Sequence, residues 1–222
     1  MGFVVYRVQK LARGSRGKGT LGQSLRHLAK HKESAEISRP DRLKDDAFRC
    51  IGDYKKVMQK IDANIAQHNK HNVRGFRSDA AIACEMIFSY SPDEHNQKKE
   101  YELQYETIIL QYIKEKFPSM QVLAIARHCS ESSTHWHVIA TSYDKERHRV
   151  SIREMIGGPA QLRKQQTELA DRLAVLGLKR GMPKEITNST HKTKTEYNRQ
   201  KLLHIEKEAH AALEDIFKDY DR

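Results

Sequence analysis

Three histidines and a glutamate fall within the stretch Arg127-His128-Cys129-Ser130-Glu131-Ser132-Ser133-Thr134-His135-Trp136-His137-Val138. Neutral imidazoles that converge can hold a divalent cation while leaving positions on it open to a substrate. Residues two apart on a strand share a face, so His135 and His137 point the same way. The small polar residues between His128 and His135 suit the loop of a hairpin. If the flanking strands pair about that loop, His128 lies opposite His135 on the same face. Glu131 then hangs over the three rings, placed to orient a ligand or accept a proton.

The elements that must position these side chains can be read on either side. Met120 to His128 and His135 to Tyr143 are apolar and β-prone, and predict the two strands of the hairpin. Cys129 should face away from His128, and Trp136 away from His135 and His137, so Trp136 is expected in the core. Phe3 to Leu11 alternates and predicts a first strand. Ala12 to Gly19 follows as a basic glycine-rich loop, able to offer N–H groups and cations to phosphates or to serve as a flexible connection. It matches no Walker A or dinucleotide pattern, which argues against nucleotide binding. Leu21, Leu25 and Leu28 predict a helix over Leu21–Lys32, with Ser24, His27 and His31 on another face.

Ser34 to Arg49 reads as a polar surface connection, and Asp53 to Asn69 as an amphipathic helix capped by Asp53. Arg77 to Ser89 is apolar enough for a central strand and carries one acid, Glu85. A buried carboxylate needs a cation, a metal or a histidine beside it. A long helix is expected from Ser91-Pro92 to about Lys116, then a helix over Ala160–Leu176 closed by Gly177. Leu178 to Gly181 and the run Thr190-His191-Lys192-Thr193 form a basic, hydroxyl-bearing region suited to phosphate contacts. A charged helix closes the chain to Arg222. Helices interleaved with four or five strands imply a single α/β (α+β) domain, a mainly antiparallel sheet flanked by helices.

The histidine stretch resembles the H-x-D-E-x-x-P-H-x-H motif of the Pre/Mob (MobV-type) plasmid mobilisation relaxases, within the HUH endonuclease superfamily. His128, Glu131, His135 and His137 match it, with Ser130 in place of Asp and Thr134 in place of Pro. The opening strand with Arg7, Gln9 and Lys10 is family-like, as are the D-A-x-x-x-x-E strand of Asp79 and Glu85 and the H-K-T run of His191 and Lys192. His27 stands at the place of the family's proposed nucleophile, where Leu28 and Lys30 replace the Asn and Arg of its H-N-x-R motif. The similarity spans the N-terminus to about residue 200, leaving 201–222 as a charged helix and the start of a further region for self-association into a homodimer.

The resemblance implies an HUH-fold relaxase domain over 1–200, bacterial and cytoplasmic. It would nick one strand at a plasmid transfer origin, leaving a covalent 5′-phosphate adduct. His128, His135 and His137 would hold a metal, Mn²⁺ before Mg²⁺ because the ligands are nitrogens. His27 would be the nucleophile with Tyr6 its rival, and Glu85 and Glu131 would assist. Arg7, Lys10, Lys30, Arg180, His191 and Lys192 would contact DNA. Two other readings stay open: another HUH enzyme, such as a rolling-circle replication initiator or transposase, and a non-catalytic plasmid DNA-binding regulator.

Composition agrees with a polyanionic partner. The 222 residues hold 40 Lys plus Arg against 29 Asp plus Glu, a net charge of +11. No apolar run approaches a bilayer span, and the first residues lack the apolar core of a signal peptide. Cys50, Cys84 and Cys129 are odd in number and lack metal-type spacing, as expected of a reducing compartment.

Overall fold

Alternating apolar residues build a six-stranded sheet with helices on both faces. The computed structural model describes residues 2–14, 19–29, 37–91, 98–182, 196, 199–200, 202–208 and 210. The chain divides into two compact units, Met1–Gly181 and Met182–Arg222. The strands and helices named below belong to the first.

In chain order the elements are β1 (Phe3–Leu11), α1 (Leu21–Ala29), β2 (Ala47–Cys50), α2 (Tyr54–His71), β3 (Ala83–Tyr90), α3 (Lys99–Lys116), β4 (Met120–His128), β5 (His135–Ser142), α4 (Ile152–Ile156), α5 (Pro159–Leu173) and β6 (Lys179–Arg180). The sheet order is β2-β4-β5-β3-β1-β6. Every pairing is antiparallel except β1 with β6. The architecture is the mixed α/β arrangement expected, with six strands where the sequence implies four or five. Both edge strands, β2 and β6, are too short to show a period, which is why the sequence reads them as connections.

Period-two alternation splits the core in two. One face of the sheet presents Tyr6, Met86, Phe88, Trp136 and Val138 to Tyr105, Ile109 and Tyr112 of α3 and Leu169 and Leu173 of α5. The other presents Leu11, Ala124, Ala126 and Ile139 to Leu21, Leu25 and Leu28 of α1 and Val57 and Ile61 of α2. The histidines lie on this second face.

The helix ends follow their capping residues. Thr20 and Gln23 form a capping box before α1: the Gln23 N–H donates to Thr20 Oγ1 and the Thr20 N–H to Gln23 Oε1, both at 3.2 Å. Asp53 caps α2 by accepting the Lys56 N–H at 2.8 Å. Gly177, with φ of 74°, ends the turn after α5 in the left-handed region that glycine enters without strain. Among the described residues, no helix is long and apolar enough to cross a membrane. Residues 30–36, 92–97 and the greater part of 183–222 lie outside the described set, and with them the expected C-terminal end of α1, the first turns of α3 and most of the closing helix.

Candidate metal centre

The β4–β5 hairpin pairs His128 directly with His135 and Ala126 with His137. A bulge at Leu123 lies far enough down β4 to leave this register intact. The three imidazoles therefore share one face, with ring centroids 5.1 Å apart for His128 and His135 and 4.9 Å apart for each other pair. His128 and His137 are buried, at 1% and 6% exposure.

Hydrogen bonds orient two of the rings. His135 Nδ1 lies 2.9 Å from the Ser133 carbonyl oxygen. A carbonyl can only accept, so Nδ1 carries the proton and Nε2 keeps its lone pair. His137 Nδ1 lies 2.8 Å from Glu85 Oε1, and the same reasoning leaves its Nε2 as the free base. That Nε2 is buried with no hydrogen-bond partner among the described residues. An oriented, buried, unsatisfied lone pair is what a ligand nitrogen looks like before a cation arrives.

Glu85 sits on β3, in the middle of the sheet, 6% exposed. It accepts from His137 on one oxygen and from the Ser24 hydroxyl on the other, at 3.0 Å. Burial pushes its carboxyl up, but the His137 and Ser24 bonds outweigh that and hold it below the usual carboxylate range. Burial and the neighbouring His135 hold His137 below the ordinary imidazole value, against the pull of Glu85. The pair is thus a carboxylate accepting from a neutral imidazole, the protonation state in which nitrogen ligates.

Helix α1 brings Ser24 and His27 to the same place. The His27 ring centroid lies 5.8 Å from those of both His128 and His137. One ligand atom from each of His27, His128 and His137 falls within 4.8 Å of the others, and a second such set is His128, Glu131 and His135. Glu131 Oε1 stands 3.6 Å from His128 Nδ1 and 3.9 Å from His135 Nε2. The two sets share His128, and the imidazoles and carboxylate they supply fit a divalent cation of intermediate softness.

The loop between the strands is held by a segment that the sequence reads as a mere connection. Asp46 accepts the Cys129 N–H at 2.5 Å, the Ser130 N–H at 3.0 Å and the Ser130 hydroxyl at 2.6 Å. Arg39 donates from its backbone to the Ser130 carbonyl at 2.7 Å and from Nε to the Glu131 carbonyl at 2.6 Å. Glu102 of α3, 2% exposed, takes a two-pronged contact from Arg42 at 3.0 and 2.6 Å and the Thr134 hydroxyl at 2.7 Å. Ser130 and Thr134, the two departures from the family motif, are thus both hydrogen-bonded to carboxylates from outside the hairpin. No local signal in Asp46, Arg39, Arg42 or Glu102 announces this; only their proximity in space does.

The sequence-derived residues sort by strand face. Arg7 pairs with Ile87, which pairs with His137, so Arg7 lies on the histidine face. Lys10 is three positions on and therefore faces the other side, where its partner Cys84 joins the opposite core. Arg180 lies on the edge strand β6, three strands from β5. Tyr6 faces the opposite core, 3% exposed, with its hydroxyl bonded to Gln165 Oε1 at 3.3 Å. Burial drives its phenol far above the ordinary value. The phenol thus lies on the side of the sheet away from the histidines. Trp136 is fully buried, and its indole N–H donates to Glu106 at 3.0 Å. The Cys129 thiol points to Glu102, away from the histidines, and burial pushes it up to about 12. Lys30, His191 and Lys192 lie outside the described residues.

Solved structures with this fold include the MobM relaxase domain (MOBV; Mob_Pre) bound to plasmid pMV158 oriT DNA of 22 nucleotides, Mn-bound, at pH 5.5. It is 19% identical, with a TM-score of 0.68, over 89% of this chain and 99% of that one. The same domain on 26-nucleotide oriT DNA gives a TM-score of 0.60 at 20% identity, over 88% and 99% of the two chains. No curated protein matches. The family profile Mob_Pre, described as plasmid recombination enzyme, matches residues 1–199. The chain therefore belongs to the Mob_Pre family of plasmid recombination enzymes.

Proposed function

We propose that this protein is a plasmid mobilisation relaxase that nicks one DNA strand at a transfer origin and retains the 5′-phosphate covalently on His27. The observation that carries the reading is the convergence of His27 with His128, His135, His137 and Glu131 on one face of the sheet. Family membership and the DNA-bound, Mn-bound state of the MobM domain support it.

His128, His135 and His137 would hold the cation, Mn²⁺ in preference to Mg²⁺ for a nitrogen-rich donor set. When bound, the ion supplies positive charge that offsets charge growing on the non-bridging oxygens of the scissile phosphate. Glu85 acts through His137, fixing its tautomer and keeping Nε2 aimed inward. A His27 nitrogen attacks phosphorus, forming a P–N bond as the bond from phosphorus to the 3′-oxygen breaks. The 3′-oxygen takes up one proton and leaves as a hydroxyl, while the His27 ring loses one from its other nitrogen. Glu131 would accept that proton. No water is consumed, so the phosphoryl bond energy is kept for rejoining. Arg7, on the histidine face, would hold the backbone of the strand. Work on plasmid DNA is bacterial and cytoplasmic, and self-association through a C-terminal region belongs to the same proposal.

The test is to incubate the protein with an origin-containing oligonucleotide and Mn²⁺, then map the DNA-linked peptide. Attachment at His27 is expected. A second reading, His27 as a further metal ligand, is favoured by a ligand atom within 4.8 Å of those of His128 and His137. Loss of metal affinity in His27→Ala would select it.

A further inference from the structure

The sheet register extends the histidine face into a row that runs across five strands. Phe48 pairs with Ala126, Ala126 with His137, His137 with Ile87, and Ile87 with Arg7. All five side chains project from one face. Phe48 is two interstrand steps from His137, about 10 Å at ~4.8 Å per step, and small Ala126 is the residue between.

Beyond Ala126 the sheet opens into a cleft of about 690 Å³ between β2, α1 and the start of α2. Such a volume falls within the roughly 300–1,000 Å³ of small-ligand sites. Phe48 and Tyr54 line it and are 41% and 49% exposed. Two open aromatic rings beside an edge strand are a liability unless something covers them. Arg13, bonded to Asp62, and Arg26, the neighbour of His27 in α1, stand on the rim. Asp53 is also on the rim, where its carboxylate is engaged in capping α2.

We propose that this cleft is a base-stacking subsite, which receives unpaired nucleobases of the DNA strand flanking the scissile phosphate. The proposal rests on the relaxase reading. Aromatic faces with guanidinium groups on the rim match the chemistry of a base attached to a phosphate. Duplex DNA keeps its base faces stacked, so the cleft selects single strands. Along the sheet, Ala126, buried under α1, separates Phe48 from His137, so the subsite lies beside the histidine cluster, about two strand spacings away. Phe48 and Tyr54 would set where the strand lies, and so which phosphate reaches His27.

Cys50 provides a reporter inside the cleft. It is half-buried there, whereas Cys84 and Cys129 are wholly buried. An aromatic disulfide reagent should therefore modify one thiol quickly in the native, full-length protein. Saturating oligothymidine should slow that reaction at least tenfold, and a blunt duplex of equal length should not. Phe48→Ala and Tyr54→Ala should each weaken oligothymidine binding about tenfold with Mn²⁺ affinity unchanged, which shows that the fold survives. Phe48→Trp should restore binding, and Phe48→Leu, apolar but without a π-face, should not.

Unchanged Cys50 reactivity under saturating oligothymidine, or a Phe48→Leu variant that binds as tightly as the parent, overturns the proposal. Protection of Cys50 in a protein that forms no adduct with an origin oligonucleotide would sink the relaxase reading alone and leave the subsite standing. Normal adduct formation with unchanged affinity in Phe48→Ala would sink the subsite alone.

Discussion

Glu85 Oε1 lies 2.8 Å from His137 Nδ1, on neighbouring central strands and on the face that carries His128 and His135. Glu85 pairs with Ile139 and His137 with Ile87, so the two meet along the diagonal of an antiparallel ladder. The carboxylate sets which nitrogen of His137 is left to bind. Glu85→Gln keeps a possible acceptor but removes the charge, and Glu85→Ala removes both. Mn²⁺ affinity measured by calorimetry should fall ~10-fold or more in the first and up to ~100-fold in the second. Equal affinities in all three proteins would exclude the positioning role.

His135→Ala should abolish tight Mn²⁺ binding and nicking together. His27→Ala should bind Mn²⁺ and form no denaturation-resistant adduct with DNA, whereas Tyr6→Phe should form it at the parental level. Gel electrophoresis under denaturing conditions reads the adduct. An adduct in His27→Ala would move the nucleophile elsewhere. Tyr6→Phe should also cost about 1 kcal/mol of stability, the net worth of one buried hydrogen bond.

The pH dependence follows from His137, held below the ordinary imidazole value first by burial. In the unfolded chain an imidazole takes up its proton near pH ~6.5; the folded one does so only lower. Between those values the unfolded state binds more protons, so the metal-free protein should lose stability as pH falls below about 6.5. Glu85, held below the usual carboxylate range, adds a loss in the same direction at lower pH. Thermal unfolding of the metal-free protein at pH 7.5, 6.5 and 5.5 checks the sign. A melting temperature that rose on acidification would contradict it.

The contact of Asp46 with Ser130 makes a reversible prediction. Ser130→Asp restores the family residue, but sets a second carboxylate where a hydroxyl now donates at 2.6 Å to Asp46. The substitution should destabilise the fold by ~2 kcal/mol in a denaturant titration, through like-charge repulsion and a lost bond. Adding Asp46→Asn should recover most of that loss. A Ser130→Asp protein as stable as the parent would mean the loop is not held through this carboxylate.

Glu102 and Arg42 form the second hold on the loop, with side chains 2% and 15% exposed. Removing one partner leaves the other charge buried, which typically costs about 3–5 kcal/mol. Glu102→Ala should fall at the low end, because Arg42 also contacts Asp45 at 2.9 Å. Chemical denaturation measures it, and a loss under ~1 kcal/mol would show the pair to be dispensable.

The sequence by itself determined the hairpin, the common face of its three histidines, the buried strand of Glu85 and the need of that acid for a partner. All four follow from a period of two and from the cost of an unpaired buried charge, which are local properties. It also placed Trp136 in the core and the Cys129 thiol away from the metal ligands, by the same alternation. Tertiary structure alone decided that His137 is the partner of Glu85, that His27 rather than Tyr6 meets the cluster, and that Arg7 but not Lys10 shares its face with the histidines. It also turned a polar connection into an edge strand, whose Phe48 joins the histidine row and whose neighbour Asp46 grips the loop. Strand order and helix placement bring together residues about 50 to 130 positions apart, and no spacing along the chain encodes that meeting.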